Sequence, residues 1–407
     1  MKTELLMAFK NGLHNPGRTF LTMGIIMVSL AALLFVDGYV AMVRVGFAEQ
    51  LIRQEYGHFQ IYPKGFESLD DPGATHLLFS GEEVEALSKL LYSFDEVTAV
   101  LPRLPLAGMV GNSERSLLAS GFAGNPIEEN LMARGTLLNG SRLEPGNPYS
   151  AVVGVGLAKA LHAQVGDLLT MIVPNAGGGL EATYLEIHGI ADYGPEQLNR
   201  SYVETTLENG RQLLFSDGAQ RLVVLLGETK DTRAVMEKLQ KVLPSQGLEV
   251  EMKIWTQLAH FYTQVIRDYT TQIRLVLVVV LILGALAVSN TISISVLQRY
   301  GEIGTLRAIG ISSHEIMATV LLEGLFLGLG GSLLGILFTL GIQAILNVVP
   351  IFLPPPPGTY EPIRLSIMVQ GNRLLVFGLL YCFITIFAAL PPAFRGTRIN
   401  IIKALRG

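Results

Sequence analysis

The chain has 407 residues, with 30 Lys+Arg against 34 Asp+Glu and a formal net charge of −4. That balance argues against nucleic acid as a partner, because phosphate binding needs clustered positive charge. Half of the residues are hydrophobic, the mean hydropathy is +0.43 and 16% are charged, against about 25% in a soluble domain, so a membrane protein is expected. The single cysteine, Cys382, excludes an intramolecular disulfide and a Cys-based zinc or iron–sulfur site.

Residues 1–19 carry Lys2, Lys10 and Arg18 and precede a first apolar stretch, 20–43. It is long enough to cross a bilayer, which takes roughly 20 apolar residues. Its run 21–36 exceeds the about 7–15 residues of a signal peptide's apolar region and meets no clear cleavage site, so an uncleaved anchor is expected. Val40, Val43, Phe47 and Leu51 continue at helical spacing, which predicts a helix reaching beyond the membrane.

Residues 44–272 hold 18 basic and 28 acidic side chains, a net −10, while the rest of the chain is +6. A stretch this long can bury its own core. Strands are predicted at 57–62 and 97–101, flanking a helix at 82–92 with Ser80 and Glu83 spaced as a capping box. A second strand–helix–strand unit is predicted from 221–227, 231–243 and 247–252. The pair has a split β-α-β layout, with 103–220 as an insertion. Within the insertion, strands are expected at 168–173 and 183–190, a helix at 155–163 and a Gly-rich turn at 175–179. The chain has no P-loop pattern, no His-Glu-x-x-His and no Gly-x-Ser-x-Gly, and its seven histidines are scattered singly. It therefore reads as a non-catalytic subunit that holds no metal or cofactor of its own. Leu258, Phe261, Tyr262 and Val265 within 255–269 predict a second extended helix, so that two stalk helices would join this domain to the membrane.

Three further apolar stretches follow at 273–297, 316–348 and 373–394. In the third span Glu323 is a functional candidate, because a central charge costs about 2.5–3.5 kcal/mol on insertion scales. Gly324, Gly328, Gly331 and Gly335 recur at a spacing that permits close helix packing, within the chain or across a dimer. Nine Lys and Arg flank the spans on one side (Lys2, Lys10, Arg18, Arg299, Arg307, Arg395, Arg398, Lys403 and Arg406), against Arg274, Arg364 and Arg373 on the other. Both termini, the loop 298–315 and the tail 395–407 are therefore expected in the cytoplasm, with 44–272 and the Pro-rich loop 349–372 exported. The fold class is a membrane α-helical protein of four transmembrane helices, with a large exported α+β domain between the first and the second.

The loop 298–315 reads QRYGEIGTLRAIGISSHE. Ile303, Leu306 and Ile309 recur at helical spacing, Gly310 can end the helix and Ser312 or Ser313 can cap the next. A short cytoplasmic helix with apolar residues and no domain of its own is expected to dock on a partner. Residues 297–310 resemble the signature loop of FtsX-like permeases, a group that includes MacB-type macrolide exporters and LolC/LolE-type lipoprotein-releasing transporters. The residues that match are Glu302, Ile303, Gly304, Leu306, Arg307, Ala308 and Gly310. Residues 15–19, 151–167, the third span from Leu322 and the tail from Pro392 also resemble the family, with Lys403 where an acidic residue is more usual.

The resemblance implies that the loop is a coupling helix on a cytoplasmic ABC ATPase dimer, which binds the ATP and Mg. It also implies a second permease copy or paralogue, and it leaves room for a periplasmic or outer-membrane partner. MacB-type exporters carry the ATPase in the same chain, and these 407 residues do not, so a separate chain is expected to supply it. The resemblance places the chain in a bacterial inner membrane. There it would couple ATP hydrolysis to work in the exported domain, for export or extraction of a lipoprotein, lipid, peptide or small molecule. The alternatives are a non-transporting regulator of a cell-wall hydrolase, which the long exported domain disfavours, and a membrane sensor, for which the cytoplasmic segments are too short.

Overall fold

The computed structural model describes residues 16–66, 77–132, 134–174, 179–354 and 362–398. Lys2, Lys10, Lys403, Arg406, the turn at 175–178 and the middle of the Pro-rich loop lie outside the described residues. The chain divides into a membrane unit (Met1–Arg44, Val265–Phe352, Arg364–Gly407) and a large domain (Val45–Gln264, Leu353–Ile363).

Among the described residues, four helices are long and apolar enough to cross a membrane. They are Pro16–Leu51, His260–Gln298, Ser313–Val348 and Gly371–Thr397. Both helices that flank the large domain outrun the spans read from sequence. The first continues to Leu51 and closes in a π-turn, Ile52–Tyr56, where Gly57 N–H donates to the Ile52 carbonyl at 2.9 Å. The second is not continuous over 255–269: a short turn of helix, Trp255–Leu258, ends at Ala259 (φ −84, ψ 61), and the long helix starts at His260. Leu275, Val276, Val279, Leu283 and Leu286 of that helix are exposed, as side chains meant for hydrocarbon are.

Among the described residues, the large domain is built on a ten-stranded sheet. In chain order its strands are β1 (Phe59–Pro63), β2 (Val97–Gly111), β3 (Ser116–Gly124), β4 (Thr136–Gly140), β5 (Ser150–Gly154), β6 (Leu168–Pro174), β7 (Leu180–Asp192), β8 (Tyr202–Thr206), β9 (Arg221–Leu226) and β10 (Val250–Ile254). The two predicted β-α-β units interleave, as a split β-α-β layout requires, in the order β10-β1-β9-β2. All their neighbouring pairs are antiparallel. This is the ferredoxin-like arrangement. Helices Gly81–Tyr92 and Thr232–Val242 cover it, burying Val84, Leu87, Leu91, Val235 and Leu239 against Phe59, Ile61, Val100, Leu222 and Val224. The first of these helices starts at the expected capping box, Ser80 with Glu83.

The insertion is a lobe of the same sheet. β2 is 15 residues long, three times the strand read from sequence. Its first half pairs with β9 and its second half with β3 and β6. Arg103 is the crossing point, opposite Arg221 on one side and Gly124 on the other. Beyond it a separate core forms around Leu106, Val153, Leu157, Met171, Ile187 and Val203.

Candidate functional site: the coupling helix and the stalk ends

The segment expected to couple to an ATPase folds as the helix Tyr300–Ala308. Gly310 takes φ +102, a conformation open to glycine, and Ser312 caps the third span in a capping box with Glu315. The structure corrects which of its residues are available to a partner. Ile303 is 4% exposed and packs with Ile316, Val320 and Ala393 in the membrane unit's own core. Gly304 is also buried, and Leu306 and Arg307 are half-buried. The outward face consists of Gly301, Glu302, Thr305, Ala308, Ile309 and Gly310. The motif thus serves two purposes, anchoring inward and presenting a surface outward. Arg307 donates to the Ser313 hydroxyl, which ties the end of the helix to the start of the next span.

Glu323 is buried and is not alone. Ser295 Oγ donates to its carboxylate at 3.1 Å and Arg299 Nη1 stands 3.6 Å away. Arg299 Nε also donates to Glu302 at 3.1 Å. One guanidinium thus joins a carboxylate inside the third span to a carboxylate on the outward face of the coupling helix. The pairings of Glu323 with Arg299 and with Ser295, 28 residues away, give no local pattern for sequence reading to find, whereas Arg299–Glu302 is an ordinary i, i+3 pair.

The glycine stripe packs within the chain. A Cβ on Gly324 would approach Ala389 Cβ to 3.0 Å, and one on Gly328 would run into Thr385, both on the last span. A Cβ on Gly331 would come within 2.6 Å of Ile26 Cβ, and one on Gly335 within 3.1 Å of Leu30 Cβ, both on the first span. The four glycines therefore seat two different helices against the third.

At the ends of the stalk, the rings of Phe47 and Tyr262 meet edge to face with centroids 5.1 Å apart, and Trp255 lies 5.0 Å from Tyr262. Just beyond lies a group of charges, buried except for the half-buried Glu55, whose membership the sequence did not reveal. Arg103, 1% exposed, donates from Nε and Nη2 to the two Glu129 oxygens, both at 2.7 Å, and from Nη1 to the Glu55 carbonyl at 3.2 Å. Arg134 donates to the Glu55 carboxylate, and its Nε is 3.8 Å from Glu204. Both guanidiniums lie over the Phe122 ring, at 4.3 and 4.7 Å from its centroid.

Burial pushes the Glu204 carboxyl up to about 7, with Arg134 too distant to offset it fully. Burial is also the largest single influence on Glu55, but the charge and hydrogen bond of Arg134, together with the charges of Arg103 and Arg221, outweigh it and hold that carboxyl below its usual range. His58 is buried and held to about 4 by burial. Its Nδ1 accepts from Leu226 N–H at 3.0 Å, which places the proton on Nε2, facing Thr229 Oγ1 at 3.2 Å. The Thr229 hydroxyl donates to Glu49 of the first helix at 2.7 Å. Among the described residues no group of three or more His, Cys, Asp or Glu is placed to hold a metal ion.

Two family descriptions match this chain. Residues 19–242 match the MacB-like periplasmic core domain and residues 274–401 the FtsX-like permease C-terminal domain. The chain belongs to the FtsX-like permease family. An uncharacterized ABC transporter permease of Methanocaldococcus jannaschii is 26% identical over 66% of this chain and 65% of its own length. A lipoprotein-releasing system transmembrane protein LolC of Neisseria meningitidis is 24% identical over 48% of each chain. A macrolide export ATP-binding/permease protein MacB of Yersinia pestis is 24% identical over 99% of this chain and 60% of its own. The match with each of them spans less than two thirds of the relative's length. In this FtsX-like permease the two family domains correspond to the two ends of the architecture: the first takes in the first span and most of the large domain, the second the other three spans and the coupling helix.

Proposed function

We propose that this chain is the permease subunit of an ABC transporter and that a separate cytoplasmic ATPase dimer drives it. The observation that carries this is the coupling helix: its inner residues are bound into the membrane core and its outer face, Glu302, Thr305, Ala308 and Ile309, is left exposed. ATP and Mg would bind the ATPase. The large domain would stand on the outer side of a bacterial inner membrane, with both termini in the cytoplasm, as the distribution of Lys and Arg supports. A second copy or paralogue would complete the permease. ATP-driven closure would move the stalk helices and reshape the exported domain, for release of a lipoprotein or lipid or export of a peptide or small molecule. The LolC and MacB relatives favour this class of work over hydrolase control.

The test is purification from native membranes in mild detergent, with mass spectrometry and an ATPase assay of the eluate. A co-purifying P-loop ATPase is expected, with stimulation lost in Glu302→Lys and Arg307→Glu while the chain stays folded and inserted. Repeated absence of an ATPase, or full stimulation in both variants, would overturn the reading.

A further inference from the structure

The first stalk helix meets the large domain through two carboxylates six residues apart, and they lead to different places. Glu49 accepts from Thr229, which connects through His58 to Leu226 of β9, in the ferredoxin-like half. Glu55, in the π-turn, accepts from Arg134, which lies in the inserted lobe just before β4 and faces Glu204 of β8. The backbone of the π-turn is held as well. The Glu55 carbonyl accepts from Arg103, at the point where β2 leaves one half and enters the other. Gly57 directly after the turn has φ +67, and a Cβ there would come within 2.9 Å of the Val224 carbonyl. That end of the stalk is thus packed closely on β9, and displacement of a closely packed helix is felt by the groups that grip it.

We infer that Glu55 and Arg134 form the latch through which stalk movement reaches the inserted lobe, while Glu49, Thr229 and His58 hold the same helix to the ferredoxin-like half. This rests on the permease reading and adds which half moves and through which residues. Arg134 is 5% exposed, pairs with Glu55 and stacks on Phe122 and Tyr202. The Glu55 side chain is 37% exposed, whereas the guanidinium it grips is 5% exposed and seated on two rings, and a group packed on two sides passes displacement on to what it packs against. Glu55 is a positioning residue: it acts through Arg134.

The experiment uses the full chain with its co-purified ATPase in lipid nanodiscs. Spin labels are placed at two exposed positions, Leu118 on β3 of the lobe and Gln240 on the helix that covers the ferredoxin-like half, with Cys382→Ser to remove the native thiol. The unmodified complex should show an ATP-dependent shift in the label distance. In Glu55→Gln the shift should be lost while ATP hydrolysis persists, and Glu55→Asp should restore it. Arg134→Lys should weaken it, which tests the other side of the latch should one variant fold poorly. An unchanged shift in Glu55→Gln would overturn the latch. Hydrolysis without any shift in the unmodified complex would also overturn it, and leave the permease reading standing. A preparation with no ATPase at all would remove that reading and the latch together.

Discussion

Arg103 and Arg299 are both arginines paired with carboxylates, one in the large domain and the other in the membrane unit. Arg103 is 1% exposed and makes two parallel 2.7 Å hydrogen bonds to Glu129. The side chain of Arg299 is 25% exposed and divides itself between Glu302 at 3.1 Å and Glu323 at 3.6 Å. The first is fixed in one geometry by a matched fork. The second has solvent, two partners and longer contacts, so it can shift weight between them. The large domain is thus clamped where the stalk enters, and the membrane unit has an adjustable polar contact where the ATPase is proposed to push. Rigid and yielding parts are both needed if motion is to travel without dissipating.

The largest effect that could break this contrast is expected at Arg103. Arg103→Ala leaves Glu129 buried without its partner and should destabilise the large domain by about 3–5 kcal/mol, measured by thermal unfolding. Arg299→Ala should cost much less stability and instead reduce ATPase stimulation. Equal losses of stability at the two sites would dissolve the distinction. Next in size is the glycine packing: Gly331→Leu must displace Ile26 and should cost about 1–3 kcal/mol, read as a lower aggregation temperature in detergent, whereas a substitution to Leu at Gly341, which has nothing within 4 Å, should cost little.

The pH response sharpens the picture of the clamp. The native carboxyl of Glu204 lies near 7, above its ordinary 4.5. Its contribution is therefore fully present below about 4.5 and lost as pH rises through about 7, an upper bound of about 3 kcal/mol. His58 acts oppositely. Held to about 4 from 6.5, it contributes fully above about 6.5 and loses that contribution as pH falls toward 4. Glu204→Gln should flatten the fall in stability from pH 5 to 8, measured by thermal unfolding at each pH, while an unchanged slope would show that Glu204 is not the group responsible. The smallest effect is expected at Ser312→Ala, which removes a helix cap and should cost about 0.5–2 kcal/mol with the coupling helix intact.

Much of this architecture was legible because apolar length and periodicity are local properties. The spans, the capping box at Ser80, a cap at Ser312 or Ser313 and the stalk extension through Phe47 and Leu51 all follow from residues close in sequence. The long-range pairings were not legible. Glu55 with Arg134 and Arg103 with Glu129 look like ordinary surface charges until the sheet brings them together. The split β-α-β layout was legible from the two strand–helix–strand units, but the order of the strands within the insertion was not, since nothing within a strand names its neighbour. In the coupling helix the motif residues were identifiable, but their division into buried Ile303 and exposed Ala308 depended on the spans packed behind them. The break at Ala259 left no mark in a hydrophobic pattern that runs through it.

The central claim is that the outer face of the helix Tyr300–Ala308 meets an ATPase while its inner face belongs to this chain. Single cysteines at Thr305, Ala308 and Ile303, in a Cys382→Ser background, test it by crosslinking in native membranes. The account predicts adducts with an ATP-binding protein from Thr305→Cys and Ala308→Cys that change when ATP is added, and none from Ile303→Cys. No adduct at the two outer positions, or equal adducts at all three, would contradict it.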